Sequence, residues 1–111
     1  MQVVIKKPGL PPEVVEIKND LKELQTIVGG YIEIVGFNPG LLLICDEEGK
    51  LKGKKPNIKY GDSDYIAGTL IITAAQGEDL RGLTEPEVCS AVIRLCEGCI
   101  INPVSVSKNK L

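Results

Sequence analysis

Hydrophobic and polar positions along this chain follow two rhythms. Gln2–Lys6, Glu13–Ile17, Tyr31–Phe37, Leu41–Cys45 and Asp64–Ala74 read as strands. They are rich in Val, Ile and Leu and are bounded by turn formers such as Pro8-Gly9, Asn38-Pro39-Gly40 and Asp46–Gly49, the composition that strands and their turns require. Elsewhere the apolar residues recur every three or four positions. Leu21, Leu24, Ile27 and Val28 make one such stripe, and Val88, Val92, Leu95 and Cys96 make another. A helix gathers that spacing onto one face.

Local chemistry marks where these helices begin and end. Asp20 stands before the first stripe with Glu23 three residues on, and Thr84 stands before the second with Glu87. Each pair has the make-up of a capping box, in which two orphan amides are satisfied reciprocally. Pro86 falls in the first turn, where its missing amide costs nothing. Gly29-Gly30 and Gly98 stop the two helices. Lys55–Ser63 and Gln76–Gly82 read as irregular loops, and Ile100–Val106 as a final edge strand interrupted by Pro103.

The pattern predicts an α+β domain: a mostly antiparallel sheet of about five strands with two helices packed on one face. Residues 1–104 form a single domain in this reading, and 105–111, where Ser, Lys and Asn crowd, form a flexible tail. Leu41–Cys45 does not alternate, and the row Thr69, Ile71, Thr73 is only half polar. A sheet that is apolar on both sides needs two covers. With both helices on one side, the other side is expected to meet a second subunit or to line a ligand cavity, so a homodimer is expected.

Composition narrows the function. Of the 111 residues 43% are hydrophobic and 25% charged, with a formal charge of −2, ordinary for a soluble globular domain. A protein that grips nucleic acid through phosphates needs a basic surface, so nucleic acid is not the expected partner. The longest apolar runs are far too short to span a bilayer, and the first residues read as a strand rather than a signal peptide. Neither a membrane nor export is expected, and the location is read as cytoplasmic. Histidine is absent, which removes the commonest general base and every Ser-His or Cys-His nucleophile. No enzyme activity, no cofactor and no metal are expected. Cys45, Cys89, Cys96 and Cys99 admit a four-thiolate zinc site or a redox pair at Cys96 and Cys99. The plainer reading is small buried apolar side chains, because zinc knuckles usually come as two C-x-x-C pairs.

The candidate binding residues cluster between positions 54 and 81. Asn57 follows Pro56 in a predicted loop, where an amide can read a base edge or a ribose; a turn role is the alternative. Gly68 interrupts the longest strand, as glycine does at a bulge or where a ligand comes close, and Thr69 beside it offers a hydroxyl. Tyr60 and Tyr65 can stack a base, and Lys54, Lys59 and Arg81 can meet phosphate. Lys50, Lys52, Lys54, Lys55 and Lys59 are flanked by Asp46, Glu47, Glu48, Asp62 and Asp64, so the plainer reading of this segment is a solvated hairpin laced with ion pairs.

Several of these segments also carry a resemblance. The opening Met1-x-Val3-Val4-Ile5 with Pro8-Gly9 is followed by Ile27-Val28-Gly29-Gly30-Tyr31-Ile32-Glu33. After it come Leu43-Ile44-Cys45-Asp46-Glu47-Glu48-Gly49-Lys50-Leu51, then Pro56-Asn57 and Ile66-x-Gly68-Thr69. In this order, over roughly residues 1–75, they resemble a small domain-of-unknown-function family carried by bacteriophages, prophages and plasmids, mostly of Gram-positive hosts. The resemblance implies an accessory protein of a mobile element. Several compact phage proteins of this general build act as sponges for nucleotide immune signals. The implied function is a non-catalytic protein that sequesters a cyclic ADP-ribose isomer or a cyclic dinucleotide and so counteracts host defence. The alternative is a protein-interaction module that inhibits or modulates a host protein.

Overall fold

A computed structural model describes residues 1–38 and 40–97. The expected helix stop at Gly98, Cys99, the strand Ile100–Val106 and the tail 105–111 lie outside the described residues.

The chain runs β1 (Gln2–Lys6), β2 (Glu13–Glu16), α1 (Leu21–Val28), β3 (Ile32–Phe37), β4 (Leu41–Asp46), β5 (Pro56–Lys59), β6 (Tyr65–Ala67), β7 (Leu70–Gln76), β8 (Asp79–Arg81) and α2 (Glu85–Cys96). The fold is α+β. Its main sheet has the order β2-β1-β7-β4-β3, with β8 paired to the end of β7, and β5 and β6 make a separate two-stranded sheet. All the pairings are antiparallel.

Both helices start where the sequence suggests, but the reciprocal capping box expected at each is complete at Thr84 alone, and Asp20 caps in one direction. The Asp20 carboxylate accepts from the Glu23 amide at 2.8 Å. At Thr84 the box closes in both directions, with the Thr84 amide donating to Glu87 Oε1 at 2.9 Å and the Glu87 amide to Thr84 Oγ1 at 3.4 Å. Gly29 ends α1 at φ +83°, a left-handed position that costs glycine nothing.

Three further expectations need correction. The helices do not share a face. Leu24 and Val28 of α1 pack with Val3, Ile5, Ile44 and Ile71. Val88, Ala91 and Leu95 of α2 pack with Val4, Leu43, Leu70 and Ile72. Adjacent strand residues point to opposite sides, so Ile71 and Ile72, or Leu43 and Ile44, feed different cores. The side shared with α2 is completed by Ile58, Tyr60 and Ile66 of the β5–β6 hairpin and its loop. Among the described residues both covers are therefore intramolecular, and the sheet faces themselves give no reason for a second subunit.

Next, the loops expected at 55–63 and 76–82 contain β5 and β8, short strands whose existence depends on their partners β6 and β7. Finally, Asp64–Ala74 is not one strand. Gly68 adopts φ +85°, and its amide donates to the Lys55 carbonyl at 2.8 Å. That corner turns β6 out of the main sheet to pair with β5, while β7 stays in the middle of the main sheet. No helix among the described residues is long and apolar enough to cross a membrane.

Candidate functional site

The sheet and the hairpin do not close on each other along their whole length. Toward β3 they leave a cleft of about 320 Å³. Val35, Cys45 and Glu33 line it from the main sheet, Tyr60, Tyr65 and Ile66 from the hairpin side, and Gly49, Lys50 and Leu51 from the connecting loop. The loop can lie this close because residue 49 has no side chain. A Cβ there would stand 2.7 Å from the Ala67 carbonyl oxygen, inside any real contact distance.

The cleft has an apolar interior and a charged mouth. Tyr60 is buried, and its hydroxyl donates to the Gly36 carbonyl at 3.0 Å, which fixes the hairpin over β3. Tyr65 is 39% exposed at the rim. The Lys50 ammonium sits 4.7 Å from the centre of its ring and pairs with the Asp64 carboxylate, whose hydrogen bond raises the Lys50 pKa. Glu33, Glu47 and Asp64 set carboxylates around the opening. Burial, reinforced by Glu33 and Asp46, pushes the Cys45 thiol up to about 12, so it stays protonated and acts as an apolar wall rather than a nucleophile.

Just behind the mouth, Asp46 anchors the loop. Its side chain is 1% exposed. Asp46 Oδ2 is approached by Lys54 Nζ at 2.7 Å and by Lys52 Nζ at 2.9 Å, and the Glu48 amide donates to Oδ1 at 2.9 Å. Burial disfavours the charge, but the hydrogen bonds from Lys54, Lys52 and the Glu48 amide prevail and hold the carboxyl down to about 2. Both ammonium groups also reach the C-terminal end of α1. Lys54 donates to the Val28 carbonyl at 2.7 Å and Lys52 to the Gly29 carbonyl at 3.1 Å, where a helix leaves acceptors unsatisfied and its dipole favours cations. The ion pairs expected of this lysine-rich stretch are thus formed at Lys50, Lys52 and Lys54.

Of the residues singled out from sequence, Tyr60 and Tyr65 line the cleft. Lys54 is committed to Asp46 and α1. Asn57 is committed to the frame: its Nδ2 donates to the Lys6 carbonyl at 2.8 Å and the Gly68 carbonyl at 2.7 Å, and its Oδ1 accepts from Lys6 Nζ at 3.0 Å. Gly68 and Thr69 form the corner between β6 and β7, away from the cleft lining. Lys59 is exposed on β5, in register with Tyr65. Arg81 makes a two-pronged bond to Glu87, with Nη1 to Oε1 at 2.8 Å and Nη2 to Oε2 at 2.9 Å. That bond, with the Thr84 amide, lowers the Glu87 carboxyl to about 2. Glu33 is a cleft residue that the sequence reading misses, although a charge beside Val35 on an otherwise apolar strand face is a visible signal. Gly49 and Leu51 carry none, because their roles depend on a close approach of distant segments. Cys45 is buried, whereas Cys89 and Cys96 are exposed. Among the described residues no group of three or more Cys, Asp or Glu is placed to hold a metal ion.

A family model matches residues 1–94, which spans the sheet, the hairpin, the cleft and most of α2. The chain belongs to the domain-of-unknown-function family DUF3846. The match runs past the segment in which the resemblance is legible by eye and takes in the Thr84–Glu87 cap and the start of α2. Every cleft residue named above falls within the family region. Neither the curated proteins nor the solved structures contain a match to the chain.

Proposed function

We propose that this protein is a non-catalytic binding protein that holds the nucleoside part of a small nucleotide-type ligand in the cleft between β3–β4 and the β5–β6 hairpin. The supporting observation is the cleft itself: a cavity of about 320 Å³ with an apolar interior and Tyr65 at its rim, beside Glu33, Glu47 and Asp64. An aromatic ring at a rim stacks a base, and carboxylates accept hydrogen bonds from ribose hydroxyls or an exocyclic amine. The same carboxylates repel phosphate, so the phosphate groups belong outside. Lys50 is the cation nearest the opening there, in place of Lys54, Lys59 and Arg81. The mobile-element character of the family resemblance then supports sequestration as the biological role. An immune signal such as a cyclic ADP-ribose isomer or a cyclic dinucleotide is withheld from host defence in the bacterial cytoplasm.

Thermal-shift and native mass-spectrometry titrations with these nucleotides test the proposal. The expected result is one-to-one binding per cleft, loss of binding in Tyr65→Ala and Glu33→Ala, and intact ligand recovered after heat denaturation. A changed ligand would point to catalysis, and the absence of any bound nucleotide would overturn the reading.

A second reading is the protein-interaction module that modulates a host protein. It is favoured by exposed apolar residues on the β1–β2 side, Leu10 and Val14. A stoichiometric host protein captured without any small molecule, and released by Val14→Lys, is the outcome that selects it.

A further inference from the structure

The main sheet has two edges, β2 and β3, and they are built differently. β2 is the four-residue segment Glu13-Val14-Val15-Glu16, preceded by Pro11-Pro12. Short length, terminal charges and neighbouring prolines are the devices that keep an edge from pairing with another chain. β3 is six residues long, Ile-Glu-Ile-Val-Gly-Phe, with one charge and no proline. Ile34 in its middle is 46% exposed, and Tyr31 just before it is 72% exposed. Among the described residues, β4 is the strand that pairs with β3; no strand pairs with its outer side, where the Gly36 carbonyl accepts from the Tyr60 hydroxyl at 3.0 Å.

The direction of the unused backbone groups follows from the register. Tyr31 lies opposite Glu47, whose amide donates to the Tyr31 carbonyl at 2.8 Å. In a strand the amide and carbonyl of one residue point the same way and alternate from residue to residue. Tyr31, Glu33 and Val35 therefore bond toward β4, and the backbone groups of Ile32, Ile34 and Gly36 point outward.

We infer that β3 is a self-association edge, which pairs antiparallel with β3 of a second copy of this chain about a two-fold axis at Ile34. In that register Ile34 meets its own counterpart, and Ile32 meets Gly36 of the other copy. The amides of all three and the carbonyls of Ile32 and Ile34 face the other copy, and the Gly36 carbonyl, which accepts from the Tyr60 hydroxyl, has its second lone pair for the Ile32 amide. Glu33 faces Val35, so no two like charges meet. The β-branched Ile32 falls opposite a residue without a side chain, which leaves room for it. An isologous contact needs such self-complementarity, and this strand has it around its central residue. Since Glu33 and Val35 also line the cleft, the pairing sets the clefts of the two copies side by side across the seam. The contact is independent of the identity of any ligand.

Light scattering coupled to size exclusion, run over a concentration series of the whole protein, is the test. The expected mass is twice the 12.0 kDa of the chain. Ile34→Lys and Ile34→Asp each place like charges at the two-fold axis and are expected to run as monomers with unchanged circular dichroism. Mixing the two is expected to restore a dimer, because opposite charges then meet. Val14→Lys on the β2 edge is expected to stay dimeric. Should the Ile34 variants fail to fold, hydrogen exchange of the wild type reads the same contact: the Ile32, Ile34 and Gly36 amides slow as concentration rises. A wild type that is monomeric throughout, or a dimer broken by Val14→Lys and indifferent to both Ile34 variants, overturns the inference.

Discussion

Asp46 and Lys54 bind the connecting loop to the first helix: the Asp46 carboxylate and the Lys54 ammonium stand 2.7 Å apart, and the same ammonium donates to the last carbonyl of α1 at Val28. A buried acid thus joins the end of β4 to the end of a helix. Removing it leaves Lys52 and Lys54 facing each other with no counter-charge. Asp46→Ala should destabilise the fold by on the order of 2 kcal/mol, read as a lower urea midpoint with an unchanged slope. Lys54→Met should cost less, since Lys52 still pairs with Asp46.

Acid should act through two carboxylates. Asp46 and Glu87 are both held down to about 2 by their partners in the folded protein, whereas carboxylates in the unfolded chain titrate near ~4. Between those values the unfolded state binds more protons, so stability rises with pH across that window. The contribution is complete above the unfolded values and fades as pH falls toward 2. A melting-temperature profile should drop over this range, and Asp46→Asn together with Glu87→Gln should flatten the drop.

Asn57 predicts a separation of stability from binding. Its amide closes on two carbonyls and one ammonium of the frame. Asn57→Ala should cost on the order of 2 kcal/mol, because the Lys6 and Gly68 groups lose their partner at a half-buried site. Ligand affinity, measured well below the melting temperature, should stay within a factor of about two, the size of change that ~0.4 kcal/mol produces.

Gly68 admits no side chain without strain. At φ +85° an added Cβ would meet Lys54 Cδ at 2.8 Å. Gly68→Ala should lower stability by about 1–2 kcal/mol from the backbone conformation, with a further loss as the Lys54 stem is displaced from Asp46. Thermal melts of Gly68→Ala, Lys54→Met and the double variant should show non-additive losses.

Thiol chemistry should sort the cysteines by burial. Cys89 and Cys96 are exposed and should react promptly with an aromatic disulfide reagent. Cys45, buried and with its pKa pushed up to about 12, should react only as fast as the protein opens. Urea should accelerate Cys45 selectively, as peptide mapping of the labelled protein would show.

How much of the molecule is legible in the chain depends on range. The helices at Leu21–Val28 and Glu85–Cys96 announce themselves through stripes and caps, all within a few residues of each other. β1 and β4 do so through continuous apolar runs, and β3 through Ile32, Ile34, Val35 and Phe37 set between turn formers. β5 does not, since Pro56-Asn57-Ile58-Lys59 is extended only because Tyr65–Ala67 pairs with it. At the cleft, Tyr60 and Tyr65 are visible as aromatics beside a charged loop. Arg81 and Lys54 read as free phosphate ligands when they are not, because a lone cation in a sequence carries no sign of the carboxylate that will claim it.

What the sequence determined by itself was the kind of each long element and the need to cover a sheet greasy on both sides, since period and capping are local properties of the chain. Tertiary structure alone decided that α1 covers one side and the hairpin with α2 the other, that Gly68 sends β6 out of the main sheet, and that a cleft survives beside β3. Those outcomes rest on contacts between segments far apart in the chain, such as Gly49 against Ala67 or Tyr60 on Gly36, whose geometry exists only once the two layers meet.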